Sequence, residues 1–161
     1  GQDIARIRSD LPLRYRYLGW KRVFATYEDG TSLATFFKRL EPHQACLIVI
    51  EDTDGYVFGG FCSEQWSPQK GYFGTGQSFL FSMKPTANTY LWTRVNDYFM
   101  HATRKSIAMG GGKMGRYGFW LDSDLHFGTS ETSETFLNRR LSNAEEFRCT
   151  NVEVWVPQDM P

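Results

Sequence analysis

The stretch Cys46-Leu47-Ile48-Val49-Ile50-Glu51-Asp52-Thr53-Asp54-Gly55-Tyr56-Val57-Phe58-Gly59-Gly60-Phe61 contains two apolar runs joined by one turn. Cys46–Ile50 has no polar position at all, is too short for a stable helix and is rich in β-branched residues. Such a run reads as a central strand. Asp54-Gly55 is turn chemistry, because glycine reaches the left-handed backbone that a tight hairpin needs. Tyr56–Phe61 is then the returning strand, and the whole stretch predicts a β-hairpin.

Working outward, the N-terminal side gives one more strand and one helix. Trp20–Tyr27 alternates around Val23, Ala25 and Tyr27 and reads as a strand, with Asp29-Gly30 as a turn. Thr31 or Ser32 can cap a helix, since their hydroxyls accept a free first-turn N–H. Leu33, Phe36, Phe37 and Leu40 follow at helical spacing, and Pro42 closes the segment.

The C-terminal side is a series of short strands. Gly71–Gly76 is a loop, Ser78–Met83 a strand ended by Pro85, and Tyr90–Val95 and Asp97–Met100 two strand-like pieces. Ser106–Met109 leads into Gly110-Gly111-Gly112. Tyr117–Leu121 reads as a strand, Asp122–Asp124 as a turn and Leu125–Phe127 as its return. Ser130–Leu141 is polar and has room for one helical turn. Phe147–Trp155 alternates with a change of phase that implies a bulge. The sum is an α+β, β-rich chain: an antiparallel β-sandwich flanked by a few helices. Trp20, Phe79, Phe81, Tyr117, Phe119 and Trp155 are its expected core aromatics.

At 161 residues the chain is one domain, read as a flexible segment over 1–10, a folded body over 11–156 and a tail over 157–161. Its net charge is zero, and a nucleic-acid binder needs surplus cations to displace counterions. Neutrality also argues against purely electrostatic membrane attachment. Arg14, Arg16, Lys21 and Arg22 lie close together and read as a solvated face. Cys46, Cys62 and Cys149 contain no CxxC and read as free thiols of a reducing, cytoplasmic compartment. No apolar run is long enough to insert into a membrane.

The sequence offers no catalytic constellation. Gly110–Lys113 lacks the Ser or Thr that must follow the lysine of a phosphate loop. Asp122-Ser123-Asp124 opens like a calcium loop, but Phe127 stands where that loop requires Gly and Ser133 where it requires Glu. His43, His101 and His126 have no paired-ligand spacing, and no G-x-S-x-G elbow occurs. No catalytic, cofactor-binding or metal residues are therefore nominated. Gly74, Gly76, Gly110, Gly111 and Gly112 are read as structural, serving tight turns or close backbone packing.

Two ordered stretches nevertheless carry a resemblance. Gly59-Gly60-Phe61, Trp66 and Gly74-Thr75-Gly76-Gln77-Ser78-Phe79-Leu80-Phe81 form the first. Gly110-Gly111-Gly112 and Gly115-Arg116-Tyr117-Gly118-Phe119-Trp120-Leu121-Asp122-Ser123-Asp124-Leu125 form the second. Gly128, Ser130, Thr135-Phe136, Asn138, Leu141-Ser142, Phe147 and Val152-Glu153-Val154-Trp155 continue in order, after Leu11-Pro12, Trp20 and Thr31-Ser32-Leu33. The chain resembles the TLDc family over about residues 11–156. The resemblance implies a β-sandwich flanked by helices, oxidative stress resistance, and binding and regulation of the vacuolar proton pump, the V-ATPase. It implies no cofactor and no small-molecule substrate. Some members carry the domain behind a Rab-GAP-like domain in vesicle trafficking, and others behind EF-hand or LysM regions, so the chain reads as a domain cut from a longer protein. Recruitment to endolysosomal or vesicle membranes would then run through partners.

Gln77 stands where the family usually has Glu, and Ser133 where it often has Cys. An amide keeps the hydrogen-bonding shape but loses general-base capacity. The expected activity is therefore non-catalytic protein–protein interaction, and the alternatives are a thiol-based antioxidant enzyme or a trafficking adaptor. The expected partner-binding residues are Gln65, Trp66, Tyr72, Gln77, Asp122, Asp124, Ser130 and Glu131, which mix an aromatic anchor with a polar rim.

Overall fold

The structure, a computed structural model, describes residues 2–158, with side chains from residue 5 onward. Four short helices and ten strands follow one another along the chain. The first helical piece, α1 (Gln2–Ile7), runs into a 3-10 turn over Arg8–Asp10 and then α2 (Leu13–Arg16). β1 (Trp20–Ala25), α3 (Thr26–Asp29) and α4 (Leu33–Leu40) come next. The strands then run β2 (Cys46–Asp52), β3 (Val57–Cys62), β4 (Phe79–Lys84), β5 (Asn88–Tyr90), β6 (Met100–Ala102), β7 (Ser106–Met109), β8 (Phe119–Asp122), β9 (Phe127–Thr129) and β10 (Glu146–Pro157).

All pairings are antiparallel, in the order β5-β4-β3-β2-β10-β9-β8-β7-β6, with β1 also on β10. The sheet is open and bends at β10. The first three residues of β10, Glu146–Arg148, pair with β9. From Cys149 onward it pairs with β2, and near its end with β1. A register shift between Cys149 and Asn151 supplies the expected bulge.

The two halves of this sheet pack face to face. Ile48, Ile50, Phe58, Leu80, Val152 and Val154 of one half form one core with Met100, Ile107, Met109, Phe119 and Leu121 of the other. The Cys62 sulfur lies 3.8 Å from the Met109 sulfur across that core. Leu47, Phe61, Phe79, Phe81 and Met83 point to the opposite face of the first half, where Ile7 and Leu11 cover them. Cys46–Ile50 is apolar throughout because both faces of β2 are covered.

The predicted hairpin, β2–β3, is as read, with Gly55 at φ 84° in its turn. Asp52 carboxylate oxygens accept the Asp54, Tyr56 and Asn143 N–H groups and tie the turn to the 143 region. The predicted helix, α4, is capped by Ser32, whose hydroxyl accepts the Thr35 N–H at 3.4 Å. Its Leu33, Phe36 and Leu40 are buried.

Other expectations need correction. Tyr27 lies in α3 with its ring exposed, so the first strand ends at Ala25. Neither Tyr90–Val95 nor Asp97–Met100 is a strand as a whole. After β5 the chain leaves the ladder, Arg94 adopts φ 70°, and pairing resumes at Met100. Leu125 takes φ 52°, and the return strand begins at Phe127. Ser130–Leu141 holds turns and no helix. Residues 2–10, read as a loose terminus, are helical, and Ile7 is buried. Pro157 belongs to β10, and residues 159–161 of the expected tail lie outside the described residues.

Of the six expected core aromatics, Phe79, Phe81 and Phe119 are fully buried, whereas Trp20, Tyr117 and Trp155 are half-buried. Phe81→Ala is expected to cost about 3–5 kcal/mol by leaving a cavity. At this chain length that lowers the melting temperature by about 10 °C. An unchanged thermal melt would remove Phe81 from the core.

Candidate functional site

The eight nominated residues are dispersed over the surface and the core. Trp66 is 1 % exposed and packs on Phe36 and Phe73, at ring separations of 6.2 and 5.9 Å. It is a core residue, and its expected part as a surface anchor is corrected. Its indole N–H finds no hydrogen-bond partner and sits beside the Cys46 thiol. Ser130 is likewise buried, donating to the Gly118 carbonyl at 2.7 Å and accepting the Leu141 N–H at 2.8 Å. That hydroxyl pins the 130–141 loop and presents nothing to a partner.

The remaining six stay at least partly accessible in separate places. Gln65 donates to the Glu41 carbonyl at 2.7 Å, at the C-terminal end of α4. The Asp122–Asp124 turn meets the other end of that helix, where the Leu33 N–H reaches the Ser123 carbonyl. The length of the helix therefore separates these two sets. Asp122 itself turns inward to accept the His126 and Phe127 N–H groups, which fixes the β-turn expected there. Gln77 accepts from Arg14 at 2.8 Å. Tyr72 stacks on Tyr98 at 4.5 Å, and its phenol is pushed up to about 12 by burial and by the neighbouring Tyr117 and Tyr98. Glu131 lies 3.9 Å from Arg116; partial burial and the adjacent Glu145 raise its carboxyl pKa against the pull of that arginine.

Gly74 and Gly110 have φ of 103° and 80°. A Cβ at Gly76 would enter the Trp92 ring, one at Gly111 would lie 2.5 Å from the Tyr72 hydroxyl, and one at Gly112 would lie 2.8 Å from the Glu134 side chain.

A feature that sequence reasoning did not isolate is the junction of three loops around Thr135 and Asn138. The Thr135 hydroxyl donates to Asn96 at 2.6 Å and accepts the Gly111 N–H at 3.0 Å. Asn138 uses all its amide capacity: its oxygen accepts the Ser133 N–H and hydroxyl, and its nitrogen donates to the Glu131 and Arg139 carbonyls. The signal was present as two polar residues inside the motif stretch, but their partners lie up to 42 residues away. Leu91, Val95, Tyr98, Met114 and Leu137 are exposed on the same loops.

The thiols are poorly placed for chemistry. Cys46 and Cys62 sit opposite each other on β2 and β3 and are buried. Burial and the neighbouring Cys62 hold the Cys46 thiol well above the usual range. Cys149 is pushed up to about 12 by burial and by the Asp122 and Asp52 carboxylates. The thiolate is the reactive form, so each of these shifts suppresses nucleophilicity.

The sandwich, the two glycine-bearing stretches and the ordered second stretch through β10 are matched by the TLDc domain model over residues 1–158. The chain belongs to the TLDc family. Nuclear receptor coactivator 7 of Gallus gallus is 36% identical over 153 residues, which is 94% of this chain and 17% of that protein. Oxidation resistance protein 1 of Homo sapiens is 37% identical over 154 residues, 95% of this chain and 18% of that protein. The corresponding protein of Xenopus tropicalis is 36% identical over the same span. This TLDc chain thus spans under a fifth of the length of these relatives. Among the described residues, no helix of the domain is long and apolar enough to cross a membrane.

Proposed function

We propose that this TLDc domain is a non-catalytic protein-interaction module that binds and regulates the V-ATPase and thereby supports oxidative stress resistance in the cytoplasm. Family membership supports the reading, together with relatives whose name is oxidation resistance protein 1. The observation that carries its non-catalytic part is the state of the thiols. Cys46 and Cys62 are enclosed, and Cys149 is held neutral, so none has the exposed, cation-assisted thiolate of a peroxide scavenger. The neutral net charge suits a partner surface recognised by shape and hydrogen bonds.

The direct test mixes the purified domain with purified V-ATPase, then follows ATP hydrolysis and release of the soluble catalytic sector. Binding with a change in either is expected. Absence of binding at micromolar concentration, to assembled pump and to separated sectors, would remove the V-ATPase reading and leave a vesicle-trafficking partner.

A second expected result concerns chemistry. The folded domain should turn over no peroxide, and its thiols should label slowly with iodoacetamide at neutral pH and quickly after unfolding. Turnover that disappears with Cys149→Ser would establish the enzyme reading instead.

A further inference from the structure

Charge is segregated along this neutral chain. Residues 1–22 hold Arg6, Arg8, Arg14, Arg16, Lys21 and Arg22 against Asp3 and Asp10, a net of +4, so the remaining residues carry −4. No carboxylate occurs between Asp10 and Glu28. Arg22 pairs with Glu28, but among the described residues Arg14, Arg16 and Lys21 have no carboxylate partner. Arg14 bonds the neutral amide of Gln77 and lies over the Tyr15 ring at 4.5 Å, and Arg16 bonds the Leu11 carbonyl, all of them uncharged partners.

The same segment carries two apolar side chains that the fold leaves outside. Leu13 is 70 % exposed and Tyr17 75 % exposed, although Leu11 nearby is fully buried. Leu13 opens α2 and Tyr17 caps its end, four residues on, so the two lie on one face of the turn. Arg14 and Arg16 stand between them in sequence and Lys21 follows. Exposed Leu and Tyr flanked by cations that have no carboxylate partner among the described residues have the chemistry of an interfacial anchor. The apolar groups enter the headgroup boundary, and the cations meet anionic lipid. An acidic protein with an apolar patch is the competing occupant, and the displacement arm of the test separates it from a bilayer.

We propose that α2 and its flanks form a peripheral docking surface for an anionic bilayer, with Leu13 and Tyr17 inserting at the interface and Arg14 and Lys21 facing lipid headgroups. This changes the reading of the basic cluster as merely solvated, and it stands independently of the V-ATPase.

The test is co-sedimentation of the purified chain with vesicles of phosphatidylcholine containing phosphatidylserine, and with phosphatidylcholine alone. Binding to the first and not the second is expected. Neutralising both cations, Arg14→Gln with Lys21→Gln, should lower partitioning roughly 25-fold, about fivefold per charge. Leu13→Ser with Tyr17→Ser should also reduce it. Arg139→Gln with Arg140→Gln, which removes the same charge elsewhere, should leave it unchanged. All these positions are exposed, and the bonds that Arg14 and Arg140 make are surface ones, so melting temperatures should stay within a few degrees of the parent and show each variant folded. The proposal fails if the parent shows no dependence on phosphatidylserine, or if the Arg139 and Arg140 control loses as much as the Arg14 and Lys21 variant. It also fails if the serine variants bind as the parent does while soluble polyglutamate displaces it, which would assign the surface to an acidic protein.

Discussion

Gly59→Ala is expected to yield no folded protein. Gly59 lies in β3 opposite Val49, between the central strand and Phe81. A Cβ there would overlap the Ile48 carbonyl oxygen, lie 2.8 Å from the Ile48 carbonyl carbon and 3.2 Å from the Phe81 ring. The obstacle is backbone held by the β2–β3 ladder, so relief requires parting two strands whose spacing is set by their hydrogen bonds. A cost above about 4 kcal/mol follows, exceeding ordinary overpacking. Gly60→Ala is the control. Its Cβ would meet the Met109 sulfur at 2.5 Å, the end of a flexible side chain, and the Phe79 carbonyl oxygen at 3.1 Å, a few tenths of an ångström too close, so a folded protein with a lowered melting temperature is expected. Gly55→Ala strains only a turn at φ 84° with open space around it, and should cost about 1 kcal/mol or slightly more. Soluble yield and thermal circular dichroism separate the three. A Gly59→Ala protein melting within about 3 °C of the parent would mean that the ladder yields far more than its geometry suggests.

Asn138→Ala is expected to cost about 3–4 kcal/mol, from four hydrogen bonds lost in a buried site at about 1 kcal/mol each. The Ser133 N–H and hydroxyl lose their acceptor at 3.1 and 2.7 Å, and the Glu131 and Arg139 carbonyls lose their donor at 2.8 and 2.9 Å. The side chain is 1 % exposed, so water has little access to replace it. Because these bonds shape the 130–141 loop, hydrogen exchange at the Ser133 amide should accelerate more than at the Ile48 amide. Asn138→Asp keeps the acceptor oxygen but replaces the donating amide nitrogen with a second oxygen, and when ionised buries a charge beside two carbonyls. That environment raises the carboxyl pKa in the folded state, so stability is retained in acid, below the ordinary carboxylate range, and lost as pH rises from that range through the raised folded-state pKa. Equal stability of Asn138→Asp at acid and neutral pH would show that the site is wetter than described.

What the sequence made legible was local. The hairpin at Asp54-Gly55 and the helix capped by Ser32 depend on residues a few positions apart, and both stand as read. The segment after β5 did not, because its aromatic and β-branched Tyr90, Trp92, Thr93 and Val95 resemble a strand while its hydrogen bonds go elsewhere. Thr93 bonds to Glu134 and Thr135 across the molecule, Arg94 turns left-handed, and the ladder is abandoned. Trp66 failed for a related reason. Flanked by Gln65 and Ser67 it looks like a loop anchor, and only Phe36 and Phe73, brought by distant parts of the chain, make its pocket. Ser130 likewise looked like an accessible hydroxyl until Gly118 and Leu141 arrived on either side.

The bend of the sheet at β10 also bears on how quickly the molecule can form. β2 and β10 are neighbours in space but about a hundred residues apart in sequence, and β1 is more distant still. β2 to β5 and β6 to β9 can each pair with a neighbour in sequence, whereas β1 has its ladder on β10 alone, and the halves share no ladder until this last strand arrives. The entropy of closing such loops must be met before the shared core rewards it. Folding should therefore be slow for a chain of this size and concerted between the halves. During synthesis the exposed flanks of β1, β2 and β9 wait together for one segment, and that interval is when the chain is most open to mispairing.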